Sequence, residues 1–485
     1  MKDEILVKFK DRATTAALRS NIVEKAGAAA VEDFQAIGWT RVKLPAGMSI
    51  DKAMERFGRL KEVEAAQPNF YYSLLATPND PHFPNTGLYG LTKISAPAAW
   101  DVITGNSNTV VAVIDTGIKY THEDLAANMW TNPGEIPNNG LDDDGNGFVD
   151  DYYGYDFFFD DPDPNDQHGH GTHVAGTIGA VGNNGIGVVG VNWNVRLMAI
   201  KIYNSSGSGT TSAMLINAYN YVRLMRERGV NVRVTNNSYG GCDEACGYDQ
   251  ATKDAIDALG NAGVLNVFAA GNNGRNIDAA PFYPASYDSP SILSVANSNQ
   301  SDSRNPGSNF GLAGVDIAAP GTGIFSTTMS GYGSMTGTSM ASPHVAGAAA
   351  LLSSLNPSLS AMSLKATILS SADKLTAWSG VVRSGGRLNA SAAVANQVIC
   401  TIIPQTGVLT VPRKGGQFSV NLSAPNYCDY EARSDQNWIR VIDPSPVSGN
   451  TKLAFYVTVS PSVSRTGVVT FGGQTLTIKQ EFRPN

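Results

Sequence analysis

Hydrophobic positions fall into three regimes along the chain. From residue 78 to 397, strand-like runs alternate with helical stretches. The runs are Val110–Asp115, Val195–Ile202, Val232–Asn237, Val264–Ala269 and Ile292–Ala296. Apolar, β-branched runs of this length suit strands buried on both faces. Between them, Gly171–Ile178, Ser212–Arg228 and Asp249–Asn261 read as helices, and the Ala-rich run Ala346–Leu352 as one more, fully buried. This alternation predicts an α/β fold, a doubly wound and mostly parallel sheet. Residues 1–77 differ. Ile5–Phe9 and Trp39–Leu44 read as strands, Ala13–Ala26 and Ile50–Arg59 as amphipathic helices, and Glu62–Tyr72 as a further strand-like piece: a small α/β unit. From 398 to 485 the runs are short and spaced by turns: Gly407–Val411, Gln417–Leu422, Trp438–Val441, Lys452–Val459, Gly467–Phe471 and Gln474–Gln480. They predict an all-β sandwich. A chain of 485 residues is expected to hold two to three domains.

Composition narrows the class. Charged residues make up 16%, below the usual ~25%, glycine is abundant at 50 residues, and the net charge is −7. This suits a secreted enzyme and argues against nucleic-acid binding. No apolar run reaches membrane-spanning length. Met1-Lys2-Asp3-Glu4 leads straight into the first strand, so the signal peptide of a secreted protein is expected to have been trimmed from this chain and Met1 added. Four cysteines fit two disulfides, Cys242 with Cys246 and Cys400 with Cys428, and imply an oxidising compartment.

Candidate chemistry gathers at the ends of the predicted elements. Ser339 lies in Gly337-Thr338-Ser339-Met340-Ala341-Ser342-Pro343-His344, just before the Ala-rich helix. A hydroxyl at a helix N-terminus faces outward-pointing N–H groups that favour developing negative charge. A serine nucleophile needs a base, and the base an orienting carboxylate. Three of the six histidines lie in His168-Gly169-His170-Gly171-Thr172-His173, and Asp115 ends a buried strand where sites form in open α/β sheets. A second such strand runs into Ala269-Ala270-Gly271-Asn272. A zinc site built on the histidines is disfavoured, since no His-Glu-x-x-His pattern exists. His173 and His344 read as packed structural histidines.

The four motifs Asp115-Thr116-Gly117, His170-Gly171-Thr172-His173-Val174-Ala175-Gly176, Ala269-Ala270-Gly271-Asn272 and Gly337–His344, in this order, resemble the subtilisin-like serine proteases. The likeness covers about two-thirds of the chain and implies Asp115 as orienting acid, His170 as general base and Ser339 as nucleophile. It also implies an oxyanion hole from the Asn272 side chain and the Ser339 N–H. Gly207-Ser208-Gly209 and Ser238-Tyr239-Gly240 would be the edges along which an extended peptide pairs. The primary pocket would be walled by Ser238-Tyr239-Gly240 and Ala269-Ala270-Gly271. The uncharged Asn273 argues for apolar or mixed side chains before the cut, and Tyr283-Pro284 matches a cis peptide of the family. Residues 1–77 resemble the inhibitory propeptides of such zymogens, with Tyr72–Thr77 expected in the active site before self-cleavage.

Calcium is the expected cofactor, at two or more sites. Asp142, Asp144 and Asn146 alternate as at the start of an EF-hand loop, with the Phe148 carbonyl next. The closing glutamate is absent, so Asp150 or Asp151 is expected to complete the site. A second site is implied by the family resemblance alone: side chains of Asp80, Asp124 and Asn184 with carbonyls of Gly182, Ile186 and Val188. Residues 398–485, with Cys400/Cys428 and Asn437-Trp438-Ile439, resemble BACON-type modules, which implies a glycan or surface ligand, beside an equally open role as spacer. The sum is a monomeric, secreted, calcium-dependent endopeptidase acting on proteins or peptides through an acyl-enzyme. Its own propeptide is the intramolecular inhibitor. An esterase is opposed by the absence of Gly-x-Ser-x-Gly at Ser339.

Overall fold

A computed structural model describes residues 3–10, 15–70, 76–84, 86–241, 247–442, 446–460 and 463–481. The chain divides into two compact units, Met1–Leu74 and Leu75–Asn485. The first is an antiparallel sheet in the order Ala29–Phe34, Trp39–Lys43, Glu4–Phe9, Val63–Pro68. Helices Ala16–Lys25 and Ile50–Gly58 start at Thr15 and Ser49, whose hydroxyls accept from Leu18 and Lys52 N–H. Ile5, Val7, Phe9, Val42 and Val63 of the sheet share a core with Val23, Ala53 and Phe57 of the helices.

The second unit is built on a nine-stranded sheet. In spatial order its strands are Asp373–Lys374, Gly386–Arg387, Ile317–Pro320, Ile292–Ser298, Leu265–Ala269, Val232–Asn237, Gly105–Asp115, Asn194–Lys201 and Gly154–Asp156. Every pairing is parallel except the first. The strand Gly105–Asp115 shows why its apolar run is unbroken. Val111 and Val113 face one core, with helices His170–Gly179 and Thr338–Leu355, whereas Val110, Ala112 and Ile114 face the other, with Ser212–Glu227 and Gln250–Asn261. Where helices cover both faces, alternate residues on either side are apolar and the run reads as continuous.

The C-terminal region is a pair of facing four-stranded sheets. One has the order Ile403–Pro404, Gly416–Ser423, Thr451–Val457, Ile439–Val441; the other Val408–Pro412, Gln474–Glu481, Arg465–Phe471, Ala432–Ser434. Their inner residues form one core that also takes in Ala366 and Met362 of the helix Ala361–Ser370. Beside it lies a buried charge cluster. Asp429 of the β region accepts from Arg383 through both oxygens at 2.7 Å and from Lys365 at 2.9 Å, while Asp316 faces the same two cations at 3.3 and 3.5 Å. The β region is therefore fused to the sheet domain by shared core and desolvated charge. It joins near the start of Ile317–Pro320, the end of the sheet opposite to Asp115.

Candidate active site

Asp115 closes its strand and is 1% exposed. Its Oδ1 accepts from Thr116 N–H and from His170 Nδ1, both at 2.7 Å. His170 opens the helix His170–Gly179, and the helix start presses hard on the strand end. A Cβ placed on Gly171 would lie 2.1 Å from the Gly117 carbonyl oxygen and 3.2 Å from Asp115 Oδ1, so only glycine fits there. Asp166 fixes the approach. Its Oδ1 accepts from the N–H groups of His168 and Gly169 at 2.9 Å, and its Oδ2 from the N–H and hydroxyl of Thr172 at 3.0 and 2.6 Å. Burial works against a charge on His170. The Asp115 carboxylate, by its charge and its hydrogen bond, and the charge of Asp166 outweigh burial and hold the imidazole above the ordinary histidine value.

Ser339 lies in the first turn of Thr338–Leu355. Pro343, inside that helix, has no N–H to offer the Ser339 carbonyl. The Ser238 hydroxyl supplies the missing donor at 2.9 Å. It is itself held by Asn236 Nδ2 at 2.9 Å and the Ser342 hydroxyl at 2.8 Å. The Ser339 hydroxyl donates to the Ser238 carbonyl at 3.1 Å, and among the described residues no hydrogen bond joins it to His170. The two helices pack side by side. Asn192 Nδ2 donates to carbonyls in both, Ile178 at 3.2 Å and Gly347 at 2.9 Å, which ties the two helices together.

Asn272 follows the strand Leu265–Ala269. Its Oδ1 accepts from Thr338 N–H at 2.9 Å and from the Thr338 hydroxyl at 3.1 Å. A backbone N–H can only donate, so the amide oxygen is fixed toward Thr338 and Nδ2 keeps its hydrogens for another acceptor. A Cβ placed on Gly337 would lie 3.5 Å from that Nδ2 and 3.7 Å from Ser339 N, so both donors border one small space. Hydroxyl, imidazole and two donors at one sheet end can carry out acyl transfer.

Gly207, Ser208 and Gly209 form a loop around Asn204, whose Oδ1 accepts from the Ser206 and Ser208 N–H groups. His168 faces Gly207, and Phe158 faces Gly209. Tyr239 turns its hydroxyl inward to Tyr219 at 2.6 Å and Asn237 at 3.0 Å. Ala269, Ala270 and Gly271 are buried, and the Ala270 carbonyl accepts from Asn309 Nδ2 at 2.8 Å. The Tyr283–Pro284 bond is cis. His173 and His344 are buried, bonded to backbone carbonyls, and pushed down to about 4 by burial, so both stay neutral.

The carboxylate cluster of the acidic loop reaches beyond residues 142–151. Oxygens of Asp142, Asp144 and Glu135 lie within 4.8 Å of one another. Glu135, 6% exposed, leaves its Oε2 without a partner among the described residues. Asp150 instead accepts from Asn139 and Gly140 N–H at 3.0 and 2.8 Å, and Asp151 from Asn132, Asn146 and Tyr221. The Asn146 oxygen is taken by Phe148 N–H at 2.7 Å, and the Phe148 ring packs on Tyr155 and Tyr221. At the second place, Asp80 Oδ2 accepts from Asn183 N–H at 2.7 Å, and Asp124 from Asn184 Nδ2 and Val188 N–H, both at 2.8 Å. The Asn184 oxygen accepts from Ile186 N–H, within the loop that begins at Gly182. Asp80 Oδ1 has no partner among the described residues. Burial raises both carboxyls, Asp124 to about 6. Uncompensated buried oxygens of this kind suit a hard cation.

Cys400 and Cys428 are disulfide-bonded. Cys242 and Cys246 lie outside the described residues, as does most of Tyr72–Thr77. Ala76 donates its N–H to Asp101, before the start of Gly105–Asp115 and so at the far end of the strand from Asp115. Sequence reasoning missed Asp166, Glu135 and the Ser238 hydroxyl. The first had a usable signal, an acidic residue just ahead of a helix start.

Two family models match the chain: the subtilase family over residues 106–392 and the fervidolysin N-terminal prodomain over residues 1–69. A thermophilic serine proteinase of Bacillus sp. (strain AK1) is 34% identical over 395 residues, covering 81% of this chain and 88% of the relative. Thermitase of Thermoactinomyces vulgaris is 38% identical over 319 residues, covering 66% and 99%. Among solved structures, a protease of Pseudoalteromonas arctica PAMC 21717 superposes with a TM-score of 0.51 at 30% identity, over 66% of this chain and 99% of that one. With the parallel sheet and the site at its strand ends, these matches make the chain a subtilisin-like serine protease that carries an N-terminal prodomain; it belongs to the subtilase family.

Proposed function

We propose that Ser339, His170, Asp115 and Asn272 carry peptide hydrolysis. The observation that carries this reading is the buried Asp115 oxygen on His170 Nδ1 at 2.7 Å, at the strand end beside the helix that bears Ser339. The Ser339 hydroxyl turns from the Ser238 carbonyl to His170 Nε2. Its oxygen attacks the peptide carbonyl carbon while the imidazole takes the proton. Asp115 stabilises the imidazolium and keeps the Nδ1–H tautomer. Charge on the carbonyl oxygen is met by Asn272 Nδ2 and the Ser339 N–H. Collapse breaks the C–N bond, His170 returns the proton to the leaving amine, and water then releases the acyl group by the same route.

The substrate backbone pairs with Gly207–Gly209 and Ser238–Gly240, and its side chain before the cut lies between Ser238–Gly240 and Ala269–Gly271. Calcium fits both carboxylate groups: Asp80 with Asp124, Asn184 and the 182–188 loop, and Glu135 with Asp142 and Asp144. When bound, it would neutralise these carboxylates and pin the loops. The prodomain acts as an intramolecular inhibitor until it is cleaved, and the enzyme works outside the cell. No helix among the described residues is long and apolar enough to cross a membrane. The test is hydrolysis of a casein or short-peptide substrate by the purified chain beside Ser339→Ala. Loss of turnover in the variant is expected, and equal turnover would overturn the assignment.

A further inference from the structure

The two segments flanking the primary pocket carry glycines where they face each other, and an aromatic ring fills the space those glycines open. A Cβ placed on Gly240 would lie 2.6 Å from Phe282 Cε1, one on Gly241 2.6 Å from Cε2, and one on Gly271 2.8 Å from both Cε1 and Cζ. The outer edge of one ring thus touches both walls at once. Phe282 is 9% exposed, so the ring plugs the gap rather than lining an open one. Its backbone is held there. The Phe282 N–H donates to the Ser286 hydroxyl at 2.9 Å, and the next carbonyl, of Tyr283, accepts from Gly241 N–H at 2.9 Å. The guanidinium of Arg275 lies over the ring, 6.0 Å from its centre. On the far side Asn309 ties down the second wall, donating to the Ala270 carbonyl and, from its backbone, to that of Gly271.

We propose that Phe282 sets the specificity of this protease by forming a raised floor in the primary pocket, so that only small side chains, glycine, alanine or serine, are accepted before the scissile bond. The inference rests on Ser339 as nucleophile and on the two segments as pocket walls. It narrows the broader apolar preference expected from the uncharged Asn273. An aromatic or long aliphatic substrate side chain would have to displace a packed ring, and protein interiors resist that strongly. The effect acts on kcat/KM discrimination, since a side chain that cannot seat leaves the scissile carbonyl misplaced.

The test is a set of peptides identical except for the residue before the cut, carrying Ala, Ser, Leu or Phe, assayed with the wild-type chain, Phe282→Ala and the milder Phe282→Leu. The wild type is expected to favour Ala and Ser over Leu and Phe at least tenfold in kcat/KM. Phe282→Ala is expected to raise the Phe-to-Ala ratio at least tenfold, with Phe282→Leu in between. The ratio separates a pocket role from simple packing: a merely damaged core lowers all four rates together and leaves it unchanged, which would overturn the proposal. So would a wild type that prefers Phe or Leu, with the nucleophile assignment left standing. If Ser339→Ala cleaves the same peptides as fast as wild type, the underlying reading falls instead.

Discussion

At the scale of single residues, the site depends on hydrogen bonds that each remove one freedom. Thr338 fixes which face of the Asn272 amide is free, and Asp115 fixes which nitrogen of His170 carries the proton. Asn272→Ala should lower kcat about 10²–10³-fold, the loss known for the corresponding donor in subtilisin. The pH profile follows from the sign of the His170 shift. Only neutral imidazole can accept the serine proton, and Asp115 holds its protonated form to higher pH than usual. Activity should therefore fall as pH drops through a value above that of an ordinary histidine. Asp166→Asn, which removes one of the charges responsible, should move the acid limb of kcat/KM to lower pH. An unmoved limb would show that Asp166 only shapes the helix start. The proposed reacting residues were legible as candidates because each stands in a short motif that borders an apolar run. Phe282 was not, because its meaning lies in contact with Gly240, Gly241 and Gly271, which are distant from it along the chain.

At the scale of elements, legibility followed burial. The runs Val232–Asn237 and Val264–Ala269 match observed strands to within a residue; every residue of both strands is buried, including the polar Arg233, Thr235 and Asn266 within them. Ala29–Phe34 escaped notice as an edge strand without a buried residue and so without a periodic signal. The hairpin Ile324–Thr328/Gly331–Met335 was hidden by its glycines and hydroxyls. The Ala-rich helix begins at Thr338, well before its apolar run, because Ser339, Ser342 and Pro343 belong to its first two turns, which the Ser238 hydroxyl holds. Loops pose the opposite problem. The acidic run drew attention to Asp150 and Asp151, while the carboxylate that meets Asp142 and Asp144 within 4.8 Å is Glu135, outside that run. Removing calcium with a chelator should lower the thermal midpoint, and Glu135→Gln should shrink the calcium-dependent part of that stability. A midpoint indifferent to chelator would remove calcium from both places.

At the scale of the molecule, the C-terminal β region is a load shared with the sheet domain and not a bead on a tether. Ala366 and Met362 of the sheet domain sit in its core, and Asp429 neutralises Lys365 and Arg383 across the junction. Those charges hold the Asp429 carboxyl well below the usual carboxylate range even though burial opposes them. Asp429→Ala would leave two desolvated cations facing Asp316 alone, a loss of about 3–5 kcal/mol by analogy with other broken buried pairs. A clear drop in the urea midpoint is expected, and an unchanged midpoint would mean the junction is wet and loose. Truncation at residue 397 should for the same reason yield an unstable enzyme rather than a freely working one. The junction lies at the end of the sheet opposite to Asp115, which leaves the substrate edges open. The most direct measurement is to incubate the full chain with calcium beside Ser339→Ala, following mass and new N-termini over time. Release of the prodomain by the wild type alone, with a new N-terminus near residue 77, is the predicted result, and its release from Ser339→Ala at the wild-type rate would contradict Ser339 as the nucleophile.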